Sequence, residues 1–152
     1  MCLRVFLTLI VTLSVSSCSE KRPVELGCVD GWLFRCPASP NCVSSQSADE
    51  GHYIKPFMYR GALEEARTAL LSAIGELPRS EIVTVKPDYV HATFTSRWLR
   101  FVDDVEFCFD ENSSVIHVRS ASRLGYYDFG VNRRRVETIR AMLSNSSNSP
   151  QF

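Results

Sequence analysis

The feature that most limits how this chain can fold is a series of segments in which apolar and polar residues alternate. The stretches 89–97, 105–110 and 115–122 each place apolar residues at every second position. A β-branched stretch, 82–86, precedes the first of them and is separated from it by a Lys-Pro-Asp turn signal. Successive side chains of a strand point to opposite faces of a sheet, so this pattern predicts four antiparallel strands with one face apolar.

Two segments with helical periodicity enclose these strands. Apolar residues recur every three to four positions over 61–76, before Pro78, and again over 131–143. A chain of 152 residues that is 45% hydrophobic is long enough to bury one core. The sequence therefore predicts a single α+β domain, in which a four-stranded, mainly antiparallel sheet has two helices packed on one face.

The N-terminus has the order of a secretory signal. Arg4 precedes an apolar run over 5–15 that is too short to span a bilayer as a helix. Small residues then lead to Cys18, and this end of the segment resembles a bacterial lipobox, which implies cleavage after residue 17 and lipidation of Cys18. Ser19 by that resemblance favours the outer membrane, facing the periplasm. An ordinary cleaved signal that happens to end near a cysteine is the alternative.

The rest of the chain divides by composition. Residues 18–35 are polar and contain glycine, and we predict a tether there; residues 36–143 form the predicted domain, which opens with an ordered loop over 36–59. The polar end, 144–152, is predicted to be disordered.

Seventeen basic and seventeen acidic residues leave no excess of positive charge, so nucleic acid is not an expected partner, and we expect a monomer.

Four cysteines remain outside the signal and the lipidation site, an even number that fits disulfides in an exported chain. We favour a bond between Cys36 and Cys42, because the prolines and the asparagine between them favour turns; Cys28 with Cys108 is then the remaining pair. A zinc site is the alternative, but the spacing lacks a close CxxC pair. We therefore predict no metal and no cofactor.

Five arginines fall between residues 119 and 135, and their geometry differs. At 100° per residue, Arg135 shares the apolar face of the last predicted helix, whereas Arg134 points away from it. Strand alternation puts Arg119 on the less apolar face of its strand. A guanidinium near a core needs a carboxylate, for which the chain offers Asp103, Asp104, Glu106 and Asp128.

Three segments carry a resemblance to a known family. They are CPASPNCVSS at 36–45, FVDDVEF at 101–107 and RSASRLGYYDFGVNRRRVETIR at 119–140. They resemble the signature segments of the DUF1499 family, which is found in bacterial envelopes and photosynthetic organisms, and the likeness extends over about 36–143. The resemblance implies no established activity, so it supports the fold and the site more than any reaction.

These observations predict a binding or accessory module of the cell envelope. It would be held at the membrane by a lipid anchor and would take a small anionic or lipid-like ligand where Arg119, Arg123 and the start of the last helix converge. The candidate site comprises Arg119, Arg123, Asp128, Asn132, Arg135, Asp103 and Asp104. The alternatives are a hydrolase that uses the same cluster and a structural ion-pair network in a purely structural envelope protein.

Overall fold

The computed structural model describes residues 25–145. The predicted signal peptide, Cys18, the start of the tether up to residue 24 and the tail from residue 146 lie outside this range. In chain order the elements are β1 (Cys28–Val29), β2 (Trp32–Leu33), β3 (Cys42–Ser44), β4 (Phe57–Met58), α1 (Leu63–Glu76), β5 (Ser80–Val85), β6 (Tyr89–Thr95), β7 (Val102–Asp110), β8 (Val115–Ser122) and α2 (Val131–Asn145).

The main sheet is antiparallel and has six strands rather than the predicted four. The strands that the alternation predicts are β5 to β8, in the order β8-β7-β6-β5. The outer edge of β8 is covered by β3 at Ala121 and by β4 at Ile116. An uncovered edge would leave backbone groups of β8 unpaired, and the segment predicted as an ordered loop supplies these partners. Strands of three and two residues are too short to show a period of two, which is why the sequence did not reveal them.

Both helices pack on one face of this sheet, as predicted. The α+β class is therefore confirmed. One continuous core joins Leu70 and Ile74 of α1, Ile139 of α2, and the apolar strand residues such as Val105 and Phe107. Because these strand residues sit at alternate positions, they all lie on the same side of the sheet. We call this side the helix face and the opposite side the open face. Helix α2 runs two residues beyond the predicted limit of 143, into the predicted tail.

A short hairpin, β1–β2, lies on the open face where the sequence predicted a tether. Leu33 is buried against Tyr89 and Cys108, and a disulfide joins Cys28 to Cys108. The tether prediction is therefore wrong for residues 28–33. Two-residue strands carry no periodic signal, and a bond to a cysteine 80 residues later in the chain fixes the segment. The second disulfide joins Cys36 to Cys42, the pair favoured by the sequence.

The described segment is a self-contained folded unit. Residues 25–145 include the whole core cluster, both disulfides and the complete order of strands in the main sheet. Within this segment, neither helix has the length and apolar character needed to cross a membrane.

Candidate functional site

The seven predicted site residues do not form one cluster, because they fall on both faces of the sheet. Three of them lie on the open face and four on the helix side. The reason is the strand period of two, which sends neighbouring residues of β7 to opposite faces. The open-face group is Arg119, Arg123 and Asp104, and the helix-side group is Asp103, Asp128, Asn132 and Arg135.

The helix-side group is an ion-pair network, and Asp103 and Arg135 in it border a cavity of about 340 Å³. Arg135 points to the sheet, as its helical position predicts, and its Nη2 donates to Asp103 Oδ2 at 2.5 Å. Its Nη1 donates to Asn132 Oδ1 at 2.8 Å and to Ser120 Oγ at 3.2 Å, and its guanidinium lies 4.8 Å from the ring centre of Phe94. Each charged group is therefore engaged with a neighbour, and the network joins α2 to the sheet.

Asp128 caps the start of α2 instead of pairing with an arginine. Its carboxylate accepts hydrogen bonds from the backbone N–H groups of Gly130 at 2.8 Å and Asn132 at 2.9 Å. These are the donors that a helix N-terminus would otherwise offer to an anion. The predicted convergence of this terminus with Arg119 and Arg123 is therefore wrong, since the terminus belongs to the helix side and already has its own carboxylate.

The first of two carboxylates on the open face is Asp104, which is fully buried. Arg123 binds it through two parallel bonds of 2.9 Å, from Nε and Nη2, and His91 Nε2 lies 2.8 Å from Oδ1. Burial raises the pKa of Asp104, but the hydrogen bonds from His91 and Arg123 together outweigh burial and lower the pKa below its ordinary value. Asp104 is therefore ionised at neutral pH and holds both partners in place.

The second carboxylate is Glu106, two residues further along β7 on the same face. Its Oε1 accepts hydrogen bonds of 2.7 Å from the Tyr89 hydroxyl and from the backbone N–H of Gly27, and Arg119 Nη1 donates to Oε2 at 2.7 Å. Burial, and then the charge of Glu106, raise the pKa of Tyr89 far above its ordinary value, so its hydroxyl stays a donor. Within 25–145, Arg119 Nε is buried without a hydrogen-bond partner.

A groove of about 840 Å³ opens over this part of the sheet. Tyr89, His91 and Arg123 line it, so one side of the carboxylate network faces the cavity. Its basic residues are Lys86, Arg100 and Arg123, against Glu81 as its acidic residue. The His91 ring is buried and binds Asp104 through Nε2, whereas its Nδ1 has no hydrogen-bond partner in the described part of the chain. The groove is therefore polar, with an excess of basic side chains.

The groove brings two of the predicted residues near a cavity and adds others that the sequence did not single out. Arg123 lines the groove and holds Asp104, whereas Arg119 lies beside Glu106 on the neighbouring strand. The missed residues are Tyr89 and His91. The alternation placed His91 on the polar face of β6, but it did not show that this face is partly covered. Two acids two positions apart on β7 do imply polar partners on the neighbouring strand, which is the signal that could have identified both.

The described residues do not form a metal site. Among residues 25–145, no three histidine, cysteine, aspartate or glutamate side chains are grouped so that they could hold an ion. All four cysteines of the domain are in disulfides, which removes the thiolates that zinc would need. Asp104 and Glu106 are bound to arginines, so their charge is already compensated.

The comparisons with known proteins agree with the signature segments. No curated protein matches the chain. The profile of the family described as "Protein of unknown function (DUF1499)" matches residues 33–143, which is most of the chain and runs from β2 through nearly all of α2. The match includes the acids of β7, the arginines of β8 and α2, and the disulfide between Cys36 and Cys42. The chain therefore belongs to the DUF1499 family.

Proposed function

We propose that the protein is a binding module of the cell envelope that takes a small anionic ligand, through a phosphate or carboxylate group, in the groove on the open face. The observation that carries this proposal is the excess of basic side chains around the groove. Lys86 and Arg100 are exposed at its edge, and neither forms an ion pair within the described residues. Their charges are therefore available to a ligand.

The acids beneath the groove do not oppose an anion. Asp104 is compensated by Arg123, and Glu106 by Arg119, so the floor contributes fixed donors with little net charge. Thr93 and Thr95 add hydroxyl groups along the same strand, and His91 presents a ring whose orientation Asp104 fixes. Side chains whose orientation is already fixed bind an anion with little loss of freedom, which is what a specific site needs.

The proposed location is the envelope, with the domain tethered by a lipid at Cys18. Two disulfides suit an oxidising compartment, and the signal-like N-terminus supplies a route to it. Metabolic labelling of the full chain with a fatty-acid probe tests the anchor. Incorporation should be lost in Cys18→Ser, and labelling that persists in this variant would refute the anchor.

Calorimetric titration of residues 25–152 with inorganic phosphate, and separately with succinate, tests the groove. The double variant Lys86→Ala with Arg100→Ala should bind the preferred anion more than about tenfold less tightly, because each charged hydrogen bond contributes about 1.5–3 kcal/mol. The matched control is Lys55→Ala, which removes an exposed lysine away from the groove and should bind like wild type. Equal affinity in the double variant, or no binding of either anion, would count against the proposal.

A hydrolase is the second candidate, and one contact favours it. The 2.8 Å contact between Asp104 Oδ1 and His91 Nε2 is the arrangement in which a carboxylate orients a histidine as a general base, with Nδ1 left for the substrate side. A p-nitrophenyl ester and p-nitrophenyl phosphate test this chemistry. Turnover that disappears in His91→Gln, with folding unchanged, would favour the enzyme; release equal to that of His91→Gln would favour the binding module.

A further inference from the structure

Two loops that end the sheet lie side by side. The β6–β7 loop covers 96–101 and the β8–α2 loop covers 123–130. They adjoin because β7 starts where β8 ends: Asp103 is paired with Ser122, and the backbone N–H of Arg123 donates to the carbonyl of Val102 at 3.0 Å. The two loops therefore form one continuous edge of the molecule.

This edge exposes large apolar side chains that the fold does not use. Trp98 is 82% exposed, Phe129 78% and Tyr126 71%. The six most exposed of them, which we call the aromatic rim, are Trp98, Leu99, Phe101, Tyr126, Tyr127 and Phe129. Single exposed apolar residues are ordinary, but a continuous group of this kind marks an interaction surface.

The backbone of both loops is held in a conformation that costs energy. Arg100 has φ 56° and Phe129 has φ 55°, the left-handed region that bulky residues seldom adopt. Strain of this kind, at about 1–3 kcal/mol per residue, persists where the surrounding structure imposes it, and it clusters at functional surfaces. In both loops it accompanies exposed aromatic side chains.

The charges beside the rim are basic. Arg97 and Arg100 alternate with the apolar residues of the first loop, which contains no acid, and Arg134 is exposed at the start of α2. The acid of the second loop, Asp128, is occupied by backbone N–H groups. The edge therefore combines aromatic side chains with a positive border.

We propose that the aromatic rim inserts into the interface of an anionic lipid bilayer. Tryptophan and tyrosine favour the headgroup level of a membrane, because their rings are apolar and their N–H and O–H groups stay hydrated. Arginines at the same level bind anionic headgroups. The rim consists of protruding loops rather than a concave groove, which suits insertion into lipid better than enclosure of a peptide. This contact is distinct from the lipid anchor, and it adjoins the groove through Arg100, which lies in the rim loop and also lines the groove.

The chain supplies its own reporters for this orientation, because its two tryptophans lie far apart. Trp98 is in the rim. Trp32 is 63% exposed in the β1–β2 hairpin, which is tied to Cys108. Cys108 follows Val102 by six residues along β7, so it lies about 20 Å from the rim end of that strand. A molecule docked through the rim therefore buries Trp98 in lipid and leaves Trp32 in water.

The experiment uses residues 25–152, which lack any acyl chain, with vesicles of phosphatidylglycerol and phosphatidylethanolamine. In Trp32→Phe, the fluorescence of Trp98 should shift to the blue and be quenched by brominated acyl chains. In Trp98→Phe, the fluorescence of Trp32 should do neither. Equal responses from both reporters, or none from Trp98, would overturn the proposal.

Sedimentation with the same vesicles tests the side chains. Trp98→Ala with Phe129→Ala should lower partitioning more than about tenfold. Arg97→Gln with Arg134→Gln should lower it about 30-fold, since each arginine contributes about a fivefold factor at an anionic surface. The matched control, Trp32→Ala with Val29→Ala, also removes two exposed apolar residues and should partition like wild type.

Two further results would overturn the proposal. One is equal partitioning to phosphatidylcholine vesicles, which would contradict the requirement for anionic lipid. The other is a dimer in solution that becomes monomeric in Trp98→Ala with Phe129→Ala while wild type leaves vesicles unbound, because the rim would then join two copies of the chain. Melting temperatures close to wild type should accompany the variants, since the substituted side chains are exposed; a small decrease is expected with Arg134→Gln, because Arg134 Nη1 donates to the Phe129 carbonyl at 2.7 Å.

Discussion

Both faces of the sheet carry pairs of aspartate and arginine, but different elements pack over them. On the helix face, Asp103 pairs with Arg135 beneath α2, and Ser120 and Asn132 complete the contacts. On the open face, Asp104 pairs with Arg123, and among residues 25–145 the cover on that side is a two-stranded hairpin with its flanking residues. The helical layer leaves Asp103 and Arg135 beside a cavity of about 340 Å³, which is smaller than the groove of about 840 Å³ on the open face. A partial cover leaves room for a groove, so the cover distinguishes the two networks more than the residue types do.

The largest effect should come from Glu106, which is fully buried, as is Asp104. Glu106→Gln would leave Arg119 buried beside a neutral partner, and the loss of one member of a buried pair costs about 3–5 kcal/mol. Urea denaturation measures the change in the free energy of unfolding. The double variant Glu106→Gln with Arg119→Met removes both charges, keeps an acceptor for the Tyr89 hydroxyl and the Gly27 N–H, and should recover much of that loss. A loss below about 1 kcal/mol in Glu106→Gln would show that the open face depends little on this pair.

The next effect concerns the hairpin that covers the open face. The disulfide between Cys28 and Cys108 closes a sequence separation of 80, against 6 for Cys36 and Cys42. By chain entropy, Cys28→Ser with Cys108→Ser should cost about 4 kcal/mol, and Cys36→Ser with Cys42→Ser about 2 kcal/mol. Thermal melts measure both variants. Because Gly27 would also leave Glu106, anion binding in the groove should weaken in the first variant; unchanged binding would show that the hairpin does not shape the groove.

A smaller effect is expected on the helix side. Asp103→Asn keeps the size of the side chain and removes its charge from Arg135, whose guanidinium retains contacts with Ser120 and Asn132. The expected loss is about 1–3 kcal/mol, measured by urea denaturation. Anion binding should stay at the wild-type level, because this pair is on the other side of the sheet. Weakened binding at unchanged stability would break the distinction between a structural and a ligand-facing network.

The elements on the two faces of the sheet could be predicted from the sequence where their patterns are long enough to show a period. Long segments predicted their elements: the alternation gave β6, β7 and β8, and the helical spacing put Arg135 against the sheet. Short segments did not, since β1 to β4 have two or three residues each. β3 and β4 form because β8 offers them partners, whereas β1 and β2 pair with each other and are held by the disulfide to Cys108. The site was predicted only in part for a related reason. Alternation separates Asp103 from Asp104, but only the folded chain shows that the face of Asp104 is partly covered.

The smallest effect is on the pH dependence of stability. It distinguishes two titrating side chains of the open face, Asp104 and His117. The pKa of Asp104 is below its ordinary value of 3.8, so the folded state favours the ionised form. The stability that this provides is complete above that value and is lost as the pH falls through the lowered pKa. Asp104→Asn should therefore be less stable than wild type at neutral pH, and the difference should shrink in strong acid.

His117 acts at a higher pH. Burial is the main cause that lowers the pKa of His117 below 6.5, against a smaller opposing effect of Asp110. The unfolded chain therefore binds more protons than the folded one just below pH 6.5, so stability rises toward that pH and is complete above it. His117→Gln should flatten this part of the profile, measured by urea denaturation at closely spaced pH values. Loss of the same part in Asp104→Asn, with His117 intact, would mean that the two groups titrate as one network across the open face.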